Sequence, residues 1–476
     1  MRKKVILAII AIALLACVLL VTFGCESYKA DSISGGEPNA TVESNGGLVV
    51  RQGGYLYFVN GYSGYLTENG KQNWFGNVTK GAIVRVSYNA DGSIGDDYTV
   101  IVPKSVMADS ANVGFSIFGE WIYYVSPSAE EDRSGAVQTD TLQFMRTKID
   151  GTGTQVILNV DDTSVKYNYT SSALVYFDSS ENKLYSKDLS VSKFKEDKPG
   201  DLIDEDVASV YFTKNEKYTP GAATSVADYV LYTKNTDKDY EYFNTLYISD
   251  PRGEKKKTLI GEDSYTDKTY NISVVATSVT DEKLAIYYTK TSYVGTSSSG
   301  TVVGTYAYEF ADKEFAFSQT KEVRLTTEDL SDIYPISYAD GVVKTGSNAR
   351  IYYTDGRDVK VYGELTLSTL LCIQNGNFYY LNSDSVLMYC AVSGESNAYY
   401  AYTTGEKFMT SFTGAEYYDG YFYFILDDDY DYVARVKLSE VDIYSGKDAT
   451  VTPVRLLSAD DKAKMEEAEA ESNSDK

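Results

Sequence analysis

Four acids in the stretch ILDDDYDY come nearest, by residue type and spacing, to a metal site: Asp427, Asp428, Asp429 and Asp431. Carboxylate oxygens are ligands that Ca²⁺ prefers. The stretch lacks the internal glycine and the distal glutamate of an EF-hand loop, and acids in a hairpin turn are usually only solvated. We treat the four as weak metal candidates and expect the protein to use no metal and no cofactor.

Histidine is absent from all 476 residues, and this absence removes most catalytic mechanisms. The chain cannot build a Ser-His-Asp or Cys-His nucleophile, nor a zinc or iron site with histidine ligands. Paired carboxylates, as glycosidases use, need no histidine and stay possible. The 68 acids offer many such pairs, and the sequence selects none of them. No catalytic residue is predicted.

The N-terminus has the organisation of an export signal. Three basic residues at positions 2–4 precede an unbroken apolar run over residues 5–23, and Gly24-Cys25 follows. The end of this leader resembles the lipobox of bacterial lipoproteins, in which the cysteine is acylated and becomes the first residue of the mature chain. The resemblance implies a signal peptide over residues 1–24 and a lipid on Cys25.

Two alternatives to this anchor stay open. Thr22 and Phe23 are not the residues that the lipobox prefers, and the letters around Cys17 fit it better, but cleavage there would leave the apolar end VLLVTFG exposed. The apolar run could also remain as an uncleaved signal anchor, since nineteen residues make a helix of roughly 28 Å, nearly enough to cross a bilayer. Either anchor places the body outside the cytoplasmic membrane, because the basic cluster stays inside.

The exported body is strongly acidic. The formal net charge is -24, and removal of residues 1–24 takes away three cations and no acids, which leaves -27. This charge repels phosphate backbones, so nucleic acid is not an expected partner. Residues 25–46 are rich in Ser, Gly, Asn and acids and are predicted to form a flexible tether. Residues 459–476 are predicted to be a charged, solvated tail with some helical propensity.

A pattern of four short strands recurs along residues 47–458 and is the main indication of the fold. Units start near residues 47, 113, 165, 209, 270, 335, 369 and 412, which predicts eight units, with seven as the alternative if the short sixth interval, from 335 to 369, is merged with a neighbour. In the unit that starts near 335, ARIYYT is assigned to the third strand. The second strands of the other units are YLYFV, WIYYV, ALVYF, YVLYT, LAIYYT, NFYYL and YFYFIL.

The predicted fold class is all-β, a β-propeller of four-stranded antiparallel blades. Strands such as YLYFV and WIYYV are apolar on both faces, whereas a strand of a β-sandwich would alternate. Blades stacked around an axis are covered on both sides by their neighbours, so their central strands can be aromatic throughout. Tyrosine suits such an interface, because its ring fills space while its hydroxyl reaches a partner or the rim.

The unit WIYYVS, LQFMRTKIDG and TQVILN, over residues 121–158, resembles the β-propeller repeats of low-density-lipoprotein-receptor-like and related bacterial surface lipoproteins. KLYSKDL and TLYISDPRG repeat the same pattern less closely. The resemblance covers about residues 47–458. It implies a propeller used for recognition and names no ligand.

Cys372 and Cys390 are the cysteines that follow the leader and the anchor. We predict them on the first and third strands of one blade, where a strand between them keeps them roughly 9 to 10 Å apart. That distance exceeds the reach of a disulfide, so we interpret both as free thiols.

The sequence thus favours a non-catalytic, membrane-anchored extracellular binding lipoprotein on the extracytoplasmic side of the cell membrane. Its ligand would be a protein, a peptide or a cell-wall glycan. One alternative is a propeller glycosidase or lyase that uses paired carboxylates, and another is a scaffold in an envelope assembly complex. A cluster of carboxylates converging in the axial funnel would favour the enzyme.

Overall fold

Eight antiparallel sheets follow one another along the chain in the computed structural model. The structure describes residues 32–61, 81–104, 106, 114–127, 141–161, 164–213, 216–222, 224–235, 244–260, 269–279, 283–293, 299–311, 318–337, 340–346, 349–361, 369–374, 377–381, 387–391, 400–402, 416–425, 432–437 and 450–474. Seven of the eight sheets have four strands, and the first has six because two short strands join its inner edge. The sheets are called blades 1 to 8.

The chain begins with β1 (Val42–Glu43), and the blades then follow in order. Blade 1 contains β2 (Val49–Gln52), β3 (Tyr55–Asn60), β4 (Ala82–Ser87) and β5 (Thr99–Val102), and blade 2 contains β6 (Ser116–Phe118), β7 (Trp121–Pro127), β8 (Leu142–Lys148) and β9 (Gln155–Val160). Blade 3 contains β10 (Lys166–Tyr169), β11 (Ala173–Asp178), β12 (Lys183–Asp188) and β13 (Asp201–Asp204). Blade 4 contains β14 (Val207–Phe212), β16 (Val230–Asn235), β17 (Asn244–Ser249) and β18 (Lys256–Ile260), with β15 (Lys217–Tyr218) inserted between its first two strands. Blade 5 contains β19 (Thr269–Val279), β20 (Lys283–Tyr293), β21 (Thr301–Ala311) and β22 (Ser318–Thr326), and blade 6 contains β23 (Ile333–Ser337), β24 (Gly341–Lys344), β25 (Arg350–Tyr353) and β26 (Asp358–Lys360). Blade 7 contains β27 (Thr369–Gln374), β28 (Asn377–Leu381), β29 (Leu387–Ala391) and β30 (Tyr400–Tyr402). Blade 8 contains β31 (Glu416–Tyr418), β32 (Tyr421–Ile425), β33 (Val433–Lys437) and β34 (Val451–Val454).

This architecture confirms the predicted all-β propeller of four-stranded blades, and the described sheets give eight blades. The unit that starts near residue 335 is a separate blade, with the ARIYYT segment on its third strand, β25, as predicted. The C-terminal tail is helical over Ala459–Ser474 (α1). Ser458 caps this helix, because its Oγ accepts from the backbone N–H of Asp461 at 3.1 Å.

Apolar clusters between neighbouring blades hold the ring together. In β3, Leu56, Tyr57, Phe58 and Val59 are all buried, which shows that both faces of a second strand are covered. Buried residues of neighbouring blades belong to the same apolar clusters, as do Phe144 and Leu174, Val175 and Tyr232, Leu231 and Ile286, Tyr287 and Val342, Val343 and Phe378, and Leu56 and Ile425. Between blades 7 and 8 the rings of Tyr379 and Phe422 stack with centroids 6.1 Å apart.

Residues 32–46, predicted to be part of a flexible tether, instead pack against the ring. Ile33 donates its backbone N–H to the carbonyl of Asp150 at 2.8 Å, and β1 pairs with β2. Val42 and Asn45 are buried. Backbone hydrogen bonds hold most of this segment, and they leave no signal in a hydropathy pattern. The sequence therefore contains no indication that the segment packs against the ring.

Candidate functional site

The central channel of the ring contains two short strands of the chain itself. β2 is the innermost strand of blade 1, and β1 lies on its free edge with Val42 opposite Gln52 and Glu43 opposite Arg51. β15, from the insertion between the first two strands of blade 4, pairs with the other edge of β1. The axial region, where a propeller offers its main concavity, is thus partly filled from blade 1 towards blade 4.

A polar cluster surrounds Glu43 at the junction of blades 8 and 1. Tyr418 donates its hydroxyl to Glu43 Oε2 at 2.6 Å. Arg51 Nη1 lies 3.5 Å from the same oxygen and donates to the Tyr418 hydroxyl at 3.1 Å. Glu43 remains 41% exposed and Arg51 29% exposed at their side chains, so water reaches this cluster. It joins the channel strand to both ends of the ring.

Two further acids of blade 8 close the ring onto blade 1. Glu416 Oε2 accepts the backbone N–H groups of Leu48 at 2.9 Å and Val49 at 3.4 Å, which belong to the start of the innermost strand. Asp419 Oδ2 accepts the hydroxyl of Tyr88 at 2.7 Å. Each carboxylate therefore bridges residues more than 300 positions apart in sequence.

The two phenols of this cluster act as hydrogen-bond donors near neutral pH. Burial raises the pKa of the Tyr88 and Tyr418 hydroxyls well above 10, and hydrogen bonds to Asp419 and Glu43 act in the same direction. Both phenols therefore stay protonated and act as donors. A phenol nucleophile or base would need the opposite shift.

Five acids elsewhere in the described ranges favour their charged form. The carboxyl pKa is lowered in Asp91, Asp97, Glu181, Asp188 and Asp204. For Asp204, burial works to raise the pKa, but hydrogen bonds from Lys234 at 2.6 Å and Tyr232 at 2.8 Å outweigh it. A glycosidase needs one carboxylic acid with a raised pKa, and these acids are shifted in the opposite direction.

The residues singled out from sequence fall mostly outside the described ranges. Cys25 and the weak metal candidates Asp427, Asp428, Asp429 and Asp431 all lie there. Cys372 and Cys390 occupy β27 and β29, the first and third strands of blade 7, as predicted. Across the part of the chain that the structure describes, no three acidic or cysteine side chains group so as to hold a metal ion. The same part contains no helix with the length and apolar character of a membrane span.

Comparison with known proteins found weak similarity to several solved structures. No family model and no curated protein sequence matches it. Among solved structures it is similar to the computationally designed Ika8 protein, with 9% identity over 89% of this chain and 98% of that one and a TM-score of 0.38. It is also similar to AztD from Citrobacter koseri (9% identity, 80% and 93% coverage, TM-score 0.37) and to the periplasmic gluconolactonase PpgL of Pseudomonas aeruginosa (13%, 84% and 96%, 0.33). Similarity at this level gives no information about ligand or activity.

A repeated arginine on the third strand of blades 8, 1 and 2 contacts residues beyond its own blade. Arg435, Arg85 and Arg146 lie opposite Tyr423, Tyr57 and Tyr123 in register. Each guanidinium stacks on the aromatic residue two positions before that tyrosine, with the guanidinium carbon 4.1 to 4.5 Å from the ring centroid. Each also donates to a backbone carbonyl beyond its own blade: that of Gly92, Ser34 or Leu189. The recurring motif, aromatic-x-Tyr on the second strand followed by Arg on the third, is the sequence signal for this arrangement.

Replacing Arg146 should weaken the junction of blades 2 and 3 strongly. Its guanidinium is buried, donates to Gln155 and to the carbonyls of Leu189 and Val191, and lies between the rings of Trp121 and Phe194. Arg146→Met leaves these acceptors without a donor, so we expect a loss of about 2 to 4 kcal/mol of unfolding free energy in urea titrations. Arg146→Lys should lose nearly as much, because one ammonium cannot reproduce the planar fork.

The matched control for that substitution is Lys148→Met. Lys148 lies two positions further along β8, contacts the same Trp121 ring and pairs with Glu120 at 3.0 Å, but both side chains of the pair are solvent-accessible. A surface pair of this kind contributes about 0 to 1 kcal/mol. Equal losses for the two substitutions would contradict the role given to the buried guanidinium.

Proposed function

We propose that this protein is a non-catalytic binding protein, anchored to the cell membrane through a lipid on Cys25 and facing the extracytoplasmic side. Its propeller would recognise a protein, a peptide or a cell-wall glycan. The leader over residues 1–24 and the acidic charge of the body support this reading. The observed propeller supports it as well, because blades arranged around an axis present many loops on two faces.

The observation that supports a binding role over carboxylate catalysis is the way in which three acids at the junction of blades 8 and 1 are used. Glu43, Glu416 and Asp419 each accept hydrogen bonds that join the two ends of the ring. Acids committed in this way cannot act as a nucleophile or a proton donor without opening the closure. The tyrosines beside them remain neutral donors, as recognition by hydrogen bonding requires.

Binding to the cell envelope at two ionic strengths tests this proposal. Residues 32–474, used as soluble bait, should capture an envelope protein or co-sediment with purified peptidoglycan. A basic partner should bind much more weakly as the Debye length falls to about 8 Å at physiological salt, because the bait is strongly acidic. A neutral glycan stacked on tyrosine should respond little.

The control is a polyanion such as duplex DNA, which the acidic body should not retain at either salt. Cleavage of peptidoglycan or of a soluble glycan by the same fragment, seen as new reducing ends, would overturn the non-catalytic role. Failure to retain any envelope component at low salt would contradict the binding role itself.

A further inference from the structure

The N-terminal segment leaves the ring on one particular face. Going backwards along the chain from β1, Glu37 Oε1 accepts the N–H of Gly54 at 3.2 Å, and the carbonyl of Ser34 accepts from Arg85 Nη2 at 2.7 Å. Ile33 then donates to the carbonyl of Asp150 at 2.8 Å. Gly54 lies in the turn between β2 and β3, and Asp150 lies in the turn between β8 and β9.

These turns belong to the same face of the propeller. In an antiparallel blade, the connection between the first and second strands and the connection between the third and fourth lie at the same end. The remaining connections lie at the other end. We call the first end the tether face, with turns 53–54, 149–154 and 189–200, and the second the distal face, with connections 179–182, 205–206 and 327–332.

The chain between a lipid on Cys25 and this face is short. Residues 25–31 number seven, so they span at most about 25 Å when fully extended. As a random chain their mean span is about 15 Å. A second strand such as Trp121–Pro127 makes a blade about 24 Å tall. The lipid could reach the level of the distal face only with almost the whole linker stretched along the blade.

The insertion in blade 4 lies on the same face as the N-terminal segment. Residues 213–229 connect the first and second strands of that blade, so they also lie on the tether face, and their β15 pairs with β1 inside the channel. The chain therefore enters the channel from the tether face at two places, before β1 and within the insertion.

From this geometry we propose that the tether face of the propeller is turned towards the membrane and that the distal face is turned away from it. This orientation rests on the proposed lipid anchor at Cys25.

Two labelled positions on opposite ends of blade 3 test the orientation. Lys193 is exposed on the tether face, and Ser179 is exposed on the distal face. Full-length, processed Lys193→Cys and Ser179→Cys variants are reconstituted in vesicles, labelled with a fluorophore, and quenched by an acceptor on the lipid headgroups. We expect quenching at position 193 to exceed that at position 179 by about twofold or more, given the blade height. The unsubstituted protein supplies the background from Cys372 and Cys390.

The controls separate failure of the orientation from failure of the anchor. Mass spectrometry of the mature N-terminus should show an acylated Cys25, and Cys25→Ala should release the protein from the vesicles; retention of that variant would refute the anchor. A Gly/Ser insertion of about 20 residues after Ala30 should remove the difference in quenching, because the linker then exceeds the blade height. Anchored protein with equal or stronger quenching at position 179 would overturn the orientation alone.

Discussion

Raising the pH above about 10 is expected to unfold the whole ring in one narrow transition, because buried phenols must then ionise. Burial raises the pKa of Tyr57 and of Tyr287 to about 12. It also raises the pKa of Tyr124 and Tyr232, and for Tyr232 the hydrogen bond to Asp204 adds to the effect. These four side chains are essentially inaccessible to water in the folded ring.

The direction and the size of this loss of stability follow from the difference in tyrosine pKa between the folded and unfolded states. A raised folded-state pKa leaves stability intact below pH 10, and stability is lost as the unfolded phenols ionise first. Each such group costs about 1.4 kcal/mol per pH unit, so four cost about 5 to 6 kcal/mol per unit. Domain stabilities are about 5 to 15 kcal/mol. The lower value is lost about one unit above the ordinary pKa of tyrosine, which places the midpoint at about pH 11 or above.

Tyrosinate absorbance and far-ultraviolet circular dichroism, followed together, measure this transition. Both signals should change at the same pH, since the buried phenols ionise only when the sheets open. Tyr57→Phe and Tyr287→Phe should each move the midpoint upwards, while Tyr334→Phe, at a residue 37% exposed, should move it less. Gradual ionisation of most phenols with the sheet signal unchanged would contradict the expectation.

Between pH 6 and 10 the same experiment should show no loss of stability. Histidine, the residue that normally titrates in this range, is absent. Burial lowers the pKa of Lys104 well below its ordinary value. The unfolded state therefore binds more protons than the folded state at that residue, and stability rises with pH until the unfolded lysine loses its proton near pH 10.4.

The blades could be predicted from sequence because their second strands have a strong local pattern. Runs such as YLYFV and WIYYV are apolar on both faces, and the structure buries them on both faces. Even the irregular sixth blade could be assigned, since Gly and Asp mark its turns. Strong local patterns of this kind need no knowledge of distant partners.

The axial region could not be predicted because its contacts join distant residues through backbone groups. Val42 pairs with Tyr218, and Glu416 caps Leu48, yet neither pair leaves a trace in composition or periodicity. The segment before β2 reads as a polar tether, and its strand is only two residues long. Register across such separations is set by the closed ring and not by the local sequence.

Gly114→Ala is expected to cost about 4 kcal/mol or more of unfolding free energy, through backbone strain and a collision with the turn before β2. Gly114 has φ of +110°, which L-residues rarely adopt. A Cβ there would lie 2.4 Å from the carbonyl oxygen of Gly47 and 2.5 Å from that of Gly46. Gly420→Ala is the control, because φ is +81° and nothing lies within 4 Å of a Cβ added at this residue. It should cost about 1 to 2 kcal/mol.

The collision at Gly114 also reports whether the N-terminal segment occupies the channel in solution. In a chain that begins at Leu48, Gly46 and Gly47 are gone, and with them the nearest atoms to the added Cβ. Gly114→Ala should then retain only its backbone cost of about 1 to 3 kcal/mol. The difference between the two backgrounds, from urea unfolding of all four chains, is the coupling between residue 114 and the segment. The same loss in both backgrounds would show that the segment does not lie against blade 2, and the closure of the ring would then have to rest on blades 8 and 1 alone.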